Sequence, residues 1–332
     1  MNTPAAFAHH TGRARFGAVL TGLLTACLAV AATAGSAFSE PIELVDADKR
    51  TVVVNDSSRV VSVGGSVTEI LYALGLEDRV VAADTTSLYP ARVLADKPNV
   101  GYMRALSPEG LLSTQPTLIL AEEGSGPPEA LELLKSASVP FVLVPSRTDA
   151  TGVVDKIRFI AKAMGVTDRG KLMADAVVDD LAKVEEAVSG VGDPAKVLFI
   201  LSLSNGRIIA AGEDTSASAI IELAGARNAL TGFTGFKPIN EEAVIEAAPD
   251  VVVMMARGDH AAKAEEVFAH PAFARTPAAA DKRLITMDGL YMLGFGPRLP
   301  QAIADLTAQI YPDASRPRLP GRPWAIDRPA AD

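Results

Sequence analysis

Apolar positions in this chain occur in two alternating patterns. Short continuous runs at 59–63, 79–83, 117–121 and 141–144 are bounded by Gly, Pro or Asp, which predicts fully buried strands. Between them the spacing becomes helical, over 66–74 before Gly75 and over 128–136. Residues 151–164 set Val154, Ile157, Ile160, Ala161 and Met164 near 3.6-residue spacing, and 171–188 read as a second long helix. Strand-like runs resume at 196–201, 251–255 and 284–287, followed by a last helix ending near 310. Strands alternating with helices predict an α/β protein of two Rossmann-like lobes with parallel sheets, joined by a long helical linker. The expected boundaries are 40–148 for the first lobe, 149–190 for the linker and 191–311 for the second lobe. A Pro-rich tail over 312–332 is expected to be disordered.

The two lobes repeat one plan. Ser66-Val-Thr-Glu-Ile-Leu-Tyr-Ala-Leu-Gly75 matches Ser216-Ala-Ser-Ala-Ile-Ile-Glu-Leu-Ala-Gly225, and Glu109-Gly-Leu-Leu-Ser-Thr-Gln-Pro116 matches Glu242-Ala-Val-Ile-Glu-Ala-Ala-Pro249. An apolar strand follows each Pro. Ser66 to Glu109 spans 43 residues and Ser216 to Glu242 only 26, so the first lobe carries the longer insertion. A loop added on one lobe and facing the other is a natural place for ligand chemistry.

Composition narrows the function. A net charge of −9 argues against nucleic acid and against an anionic membrane surface as partner. The single Cys, Cys27, and two of the four His, His9 and His10, lie in a segment that reads as removable, so a Cys-ligated or multi-His metal site is not expected. That segment, 1–39, has Arg13 and Arg15, an apolar stretch over 16–32 and small residues before 39, the pattern of a secretory signal. Leu24-Thr-Ala-Cys27 resembles a lipoprotein cleavage box, but the chain stays apolar after it, which favours ordinary cleavage and a periplasmic protein. Gly64-Gly-Ser66 reads as a strand-to-helix turn, because a nucleophile elbow would need Gly where Thr68 stands. With no Gly-x-Gly-x-x-Gly fingerprint either, an enzyme is not the expectation.

The chemistry concentrates in Asn99-Val-Gly-Tyr-Met-Arg-Ala-Leu-Ser-Pro-Glu-Gly110. In an extended segment Tyr102 and Arg104 would point the same way, and a guanidinium beside a phenol favours the phenolate. A phenolate is a hard anionic ligand suited to ferric iron, and Tyr is one of the axial ligands of haem. Ser107 and Pro108 read as the N-cap and first residue of a short helix. Ligands of parallel sheets bind at the C-terminal ends of strands, which puts Arg257, after the 251–255 strand, across a cleft from Tyr102. Tyr89 and Tyr291 read as pocket walls and Met255 as pocket lining; His260 and His270 read as solvated. Glu109 and Glu242 read as first-turn helix residues favoured by the macrodipole.

These motifs, with Arg59-Val-Val-Ser-Val-Gly-Gly-Ser-Val-Thr-Glu69 and Leu290-Tyr-Met-Leu-Gly-Phe-Gly-Pro-Arg298, make residues 58–311 resemble the haem-binding periplasmic proteins of bacterial haem ABC importers, a helix-linked class of substrate-binding protein. The resemblance implies that Tyr102 ligates ferric haem b and that Arg104 supports its phenolate. It implies that Arg257 contacts the haem region, and that Glu109 and Glu242 dock the inner-membrane permease. It also implies a monomer, with an outer-membrane haem receptor system upstream. Some members add a His from the second lobe, where this chain reads Ser202-Leu-Ser-Asn-Gly206. A cobalamin or ferric-siderophore carrier of the same fold is the alternative, and an exported enzyme a more distant one.

Overall fold

The computed structural model describes residues 41–204, 206–256, 263–314 and 316–326. The expected signal segment, Arg257 and His260 lie outside the described residues. A short antiparallel hairpin opens the chain, β1 (Ile42–Val45) against β2 (Thr51–Val54), which the apolar pattern did not announce. The first lobe follows as β3 (Val60–Val63), α1 (Gly65–Ala73), β4 (Val80–Ala83), α2 (Val93–Asp96), α3 (Pro108–Leu112), β5 (Leu118–Glu122), α4 (Pro128–Lys135) and β6 (Phe141–Val144). Its sheet runs β4-β3-β5-β6 with every pair parallel. Each of these strands is buried on both faces, which is why they read as unbroken apolar runs rather than alternating ones.

Two helices then link the lobes, α5 (Ala150–Ala163) and α6 (Thr167–Ser189). At 23 residues, α6 is about 34 Å long at ~1.5 Å per residue. Asp149 caps α5 by accepting the Gly152 amide.

The second lobe comprises β7 (Lys196–Ser204), β8 (Arg207–Ala211), α7 (Ser216–Leu223), β9 (Arg227–Asn228), β10 (Phe236–Ile239), α8 (Glu241–Ala247), β11 (Val251–Ala256), α9 (Ala264–Phe268), α10 (Pro277–Ala280), β12 (Leu284–Asp288), α11 (Gly289–Leu293) and α12 (Leu299–Ile310). The expected parallel sheet is corrected here to a mixed one. β7, β11 and β12 are parallel, but β8 lies antiparallel on β7 and β10 antiparallel on β8. β9 keeps only a two-residue parallel pairing with β7, at Lys196 and Val197, because β8 occupies the edge of β7 beyond it.

The tail is also corrected. Residues 316–326 are held on the fold rather than disordered. Arg322 makes a two-pronged pair with Asp180 on α6, both contacts 2.8 Å, and Arg316 pairs with Asp305 on α12. Leu319 and Trp324 pack against the main core.

Candidate functional site

The Tyr102 segment is tied down on both sides. At the end of β4 the Ala83 amide donates to the Pro98 carbonyl and the Ala83 carbonyl accepts the Val100 amide, and the Thr85 amide donates to the Gly101 carbonyl. Beyond Tyr102, the Gly126 amide donates to Met103 and the Leu106 amide to Gly126, so the loop after β5 grips the far side. Both anchors lie at the C-terminal ends of parallel strands, the end of the sheet that binds ligands. Between them the backbone turns, with the Ala105 amide donating to the Tyr102 carbonyl at 2.8 Å. Gly101, at φ +91°, takes the left-handed conformation this entry requires. The extended geometry expected for Tyr102 and Arg104 is therefore replaced by a turn, and the same-side argument no longer applies. Tyr102 is 46% exposed, and its hydroxyl has no hydrogen-bond partner among the described residues. Arg104 is exposed on the same turn. Leu88, passed over in the sequence, is another exposed apolar side chain in the same insertion.

The base of the insertion is polar and buried. Asp84, fully buried, accepts from the Gly64 amide, the Thr86 amide and the hydroxyls of Thr86 and Ser87. Ser62, Thr68 and Ser87 continue the chain of hydroxyls at 2.6 Å spacing. Glu122, at the end of β5, has Lys156 Nζ at 2.6 Å, Ser66 Oγ at 2.7 Å and Ser146 Oγ at 2.8 Å around one carboxylate oxygen. Burial alone would push this carboxyl up. The lysine and the two hydroxyls outweigh burial and hold it below the usual carboxylate range.

The lobes meet beside this cluster. Ser66-Val-Thr-Glu69 has the spelling of a capping box, but α1 has no side-chain cap, and Glu69 instead forms a two-pronged pair with Arg298 at 2.9 Å, both 2% exposed. Burial lowers the tendency of Arg298 to hold its proton, and the Glu69 charge more than restores it. The Arg298 guanidinium stacks over Tyr89 at 3.5 Å and lies 5.1 Å from the Tyr291 ring. Leu290 of α11 comes so close to Gly65 of α1 that a Cβ there would sit 2.6 Å from a leucine methyl and 2.4 Å from the Thr86 carbonyl oxygen. Only glycine fits this crossing.

The structure thus sorts the expected site residues. Tyr89 and Tyr291 come together, but on Arg298: the Tyr89 hydroxyl donates to the Trp324 carbonyl, and that of Tyr291 to Asp305. Met255 is half-buried near the end of β11, its sulfur against Gly289. Arg257 lies beyond the described part of that strand. Glu109 and Glu242 are both exposed, each second in its helix, after Ser107 and Asn240 N-caps that accept the Gly110 and Ala243 amides. Helix capping at Ser107 with Pro108 first is as expected. His270 is half-buried rather than solvated, its Nδ1 accepting the Ala272 amide. Glu69 with Arg298, and Glu122 with Lys156, were missed: the partners are far apart in sequence and only the fold joins them.

Comparison with known proteins agrees with this architecture. A family model described as periplasmic binding protein matches residues 60–291. The solved structure of the periplasmic heme-binding protein BhuT in complex with two hemes is 39% identical, covering 77% of this chain and 98% of that one, with a TM-score of 0.73. The uncharacterized ABC transporter substrate-binding lipoprotein YvrC of Bacillus subtilis is 28% identical over 277 residues, 82% of this chain and 86% of the relative. A vitamin B12-binding protein of Photorhabdus laumondii is 25% identical over 261 residues, 77% of this chain and 89% of the relative. Matched through both lobes and the helices between them, the chain belongs to the periplasmic binding protein family.

Proposed function

We propose that this protein captures ferric haem b between its lobes and delivers it to an inner-membrane ABC permease, with the Tyr102 phenolate as iron ligand. The observation that carries the reading is an exposed phenol without a hydrogen-bond partner among the described residues, on a turn anchored to two strand ends, in a chain 39% identical to a heme-binding protein. A pinned backbone holds the oxygen in place before the ligand arrives, which lowers the ordering cost of binding. In this reading Arg104 and Arg257 supply positive charge for the phenolate and the propionates. Leu88 and Met255 supply apolar surface for the porphyrin. Tyr89 and Tyr291 support Arg298 instead of lining the pocket. Glu109 and Glu242 are the docking points for the two halves of the permease. Residues 1–39 direct export and are removed, and the carrier works as a monomer on haem supplied by an outer-membrane receptor. The role is capture and hand-off, not turnover.

The test is a hemin titration followed by absorbance, with the parent protein beside Tyr102→Phe. The parent saturates with a high-spin ferric charge-transfer spectrum. The variant loses that spectrum, and its affinity falls by at least the roughly 10- to 100-fold typical of a disturbed metal shell. Equal binding and equal spectra would remove Tyr102 as ligand. The B12-binding relatives favour one second reading, a corrinoid carrier. Cyanocobalamin binding by a parent protein that ignores hemin would establish it.

A further inference from the structure

Residues 316–326 cross from one lobe to the other. They begin against the second lobe, where Arg316 pairs with Asp305 on α12. They pass the linker at α6, where the Arg322 guanidinium meets both oxygens of Asp180 and the Ala176 carbonyl at 3.1 Å. Asp180 is 1% exposed, and among the described residues Lys183 Nζ, at 3.7 Å, is its other cationic neighbour. They end against the first lobe, where the turn at Pro323–Ala325 lies on α1 and the Trp324 carbonyl accepts the Tyr89 hydroxyl at 2.9 Å. The Tyr89 ring in turn carries Arg298, which reaches back across the seam to Glu69. The circuit closes: α12, tail, α6, tail, Tyr89, Arg298, Glu69. Two of its charged contacts, Glu69–Arg298 and Asp180–Arg322, are two-pronged and largely buried, while Arg316–Asp305 is a single, more exposed contact. An opening that draws Arg298 from Glu69 and the tail from α6 would strand two buried carboxylates without their main partners, a state far costlier than losing a surface ion pair.

We propose that residues 316–326 are a clasp that sets the spacing of the two lobes, and that its hold on Tyr89 and Arg298 governs how fast the cleft discharges its ligand. The ligand half of this statement rests on the haem reading; the lobe-spacing half does not. Linker helices alone would permit a wider range of lobe positions. The clasp narrows that range, so ligand release requires either a rare opening or a permease that pries the circuit apart. Tyr89, Arg298 and Arg322 are then positioning residues, acting on the ligand only through lobe geometry.

The experiment uses the exported chain, which has no cysteine after Cys27. Spin labels are attached through Ser113→Cys on the first lobe and Ile245→Cys on the second, both exposed. Inter-label distances are measured by pulsed dipolar spectroscopy without ligand, and hemin dissociation by transfer to apomyoglobin. The parent gives one narrow distance. Arg322→Ala combined with Asp180→Asn, which leaves no buried charge unpaired, broadens it and speeds hemin dissociation by roughly 2- to 30-fold, the range expected for a residue that couples two elements. Arg322→Lys, with Asp180 intact, keeps the narrower distance. An unchanged distance distribution and unchanged dissociation in the double variant overturn the proposal. If the double variant unfolds by circular dichroism, Tyr89→Phe, which removes the hydroxyl that donates to the Trp324 carbonyl, decides by the same two readings. If the parent binds no hemin, the haem reading fails and the distances alone still decide the clasp.

Discussion

The two lobes set a left-handed residue before their matched prolines and then diverge. Gln115 at φ +52° precedes Pro116 in the turn after α3, whose C-cap is Ser113, and Ala248 at φ +44° precedes Pro249 as the C-cap of α8 itself; a buried strand follows each proline. What differs is the edge of the first strand in each sheet. In the first lobe β4 pairs with β3 from Val60 to Ser62, and its exit feeds the insertion that carries Tyr102. In the second lobe β9 pairs with β7 only at Lys196 and Val197, and β8 lies antiparallel on β7 beyond that, from Ile200 to Ser204. The Tyr102 loop stands on the lobe whose edge strand runs on to the C-terminal end of the sheet. The antiparallel β8 and β10 replace it on the other.

The sharpest way to break this comparison is at the charged cluster of the first lobe. Lys156→Met leaves Glu122 buried against two hydroxyls and should cost about 3–5 kcal/mol of stability, read by urea unfolding. Glu122 also makes the first lobe acid-sensitive. Its folded carboxyl titrates below the unfolded value near 4.3, so the unfolded chain takes up the proton first as pH falls. The stability it contributes is present above about pH 4.3 and is lost below it. Glu122→Gln should flatten that acid limb, and an unchanged limb would assign the titration elsewhere.

The position before the matched serines gives the next contrast. In the first lobe it is Gly65, crowded by Thr86 and Leu290; in the second it is Thr215, whose hydroxyl accepts the Ser218 amide and caps α7. Gly65→Ala should cost about 1–3 kcal/mol by overpacking. Reversing the exposed glutamates tests whether the two lobes dock alike: Glu109→Lys and Glu242→Lys should each reduce hemin uptake through the cognate permease by about tenfold, ~1.4 kcal/mol, while hemin binding in solution is unchanged. A loss with one and not the other would make docking one-sided. The smallest effect is Thr215→Ala, about 1 kcal/mol for a lost cap, measured as a shift in the urea midpoint.

The buried strands and long helices were legible because their spacing reports burial directly, and the repeat was legible because its landmarks are glycines and prolines with fixed backbone roles. The edge strands were not. β10 reads Phe-Lys-Pro-Ile, largely exposed and with a proline, which only an edge strand tolerates. Ser66-Val-Thr-Glu69 spells a capping box, but the partner of Glu69 lies 229 residues away. The tail was read as disordered from its prolines, although Arg322 and Trp324 within it are the kind of side chains that anchor. In the candidate site, Tyr102 was legible as a residue type in a motif, but the turn that presents it and the polar base beneath it emerge only from contacts between the strand ends.

The Glu69–Arg298 pair also bears on how the chain acquires its structure. A fragment comprising the first lobe alone would leave Glu69 without the counter-charge it has in the whole fold, and the second lobe alone would leave Arg298 without its carboxylate. Each half therefore depends on the other for this pair, however clearly the repeat divides the sequence. Coupling of the two halves through this pair should appear as one thermal transition by calorimetry, and two separate transitions would assign each lobe its own unfolding.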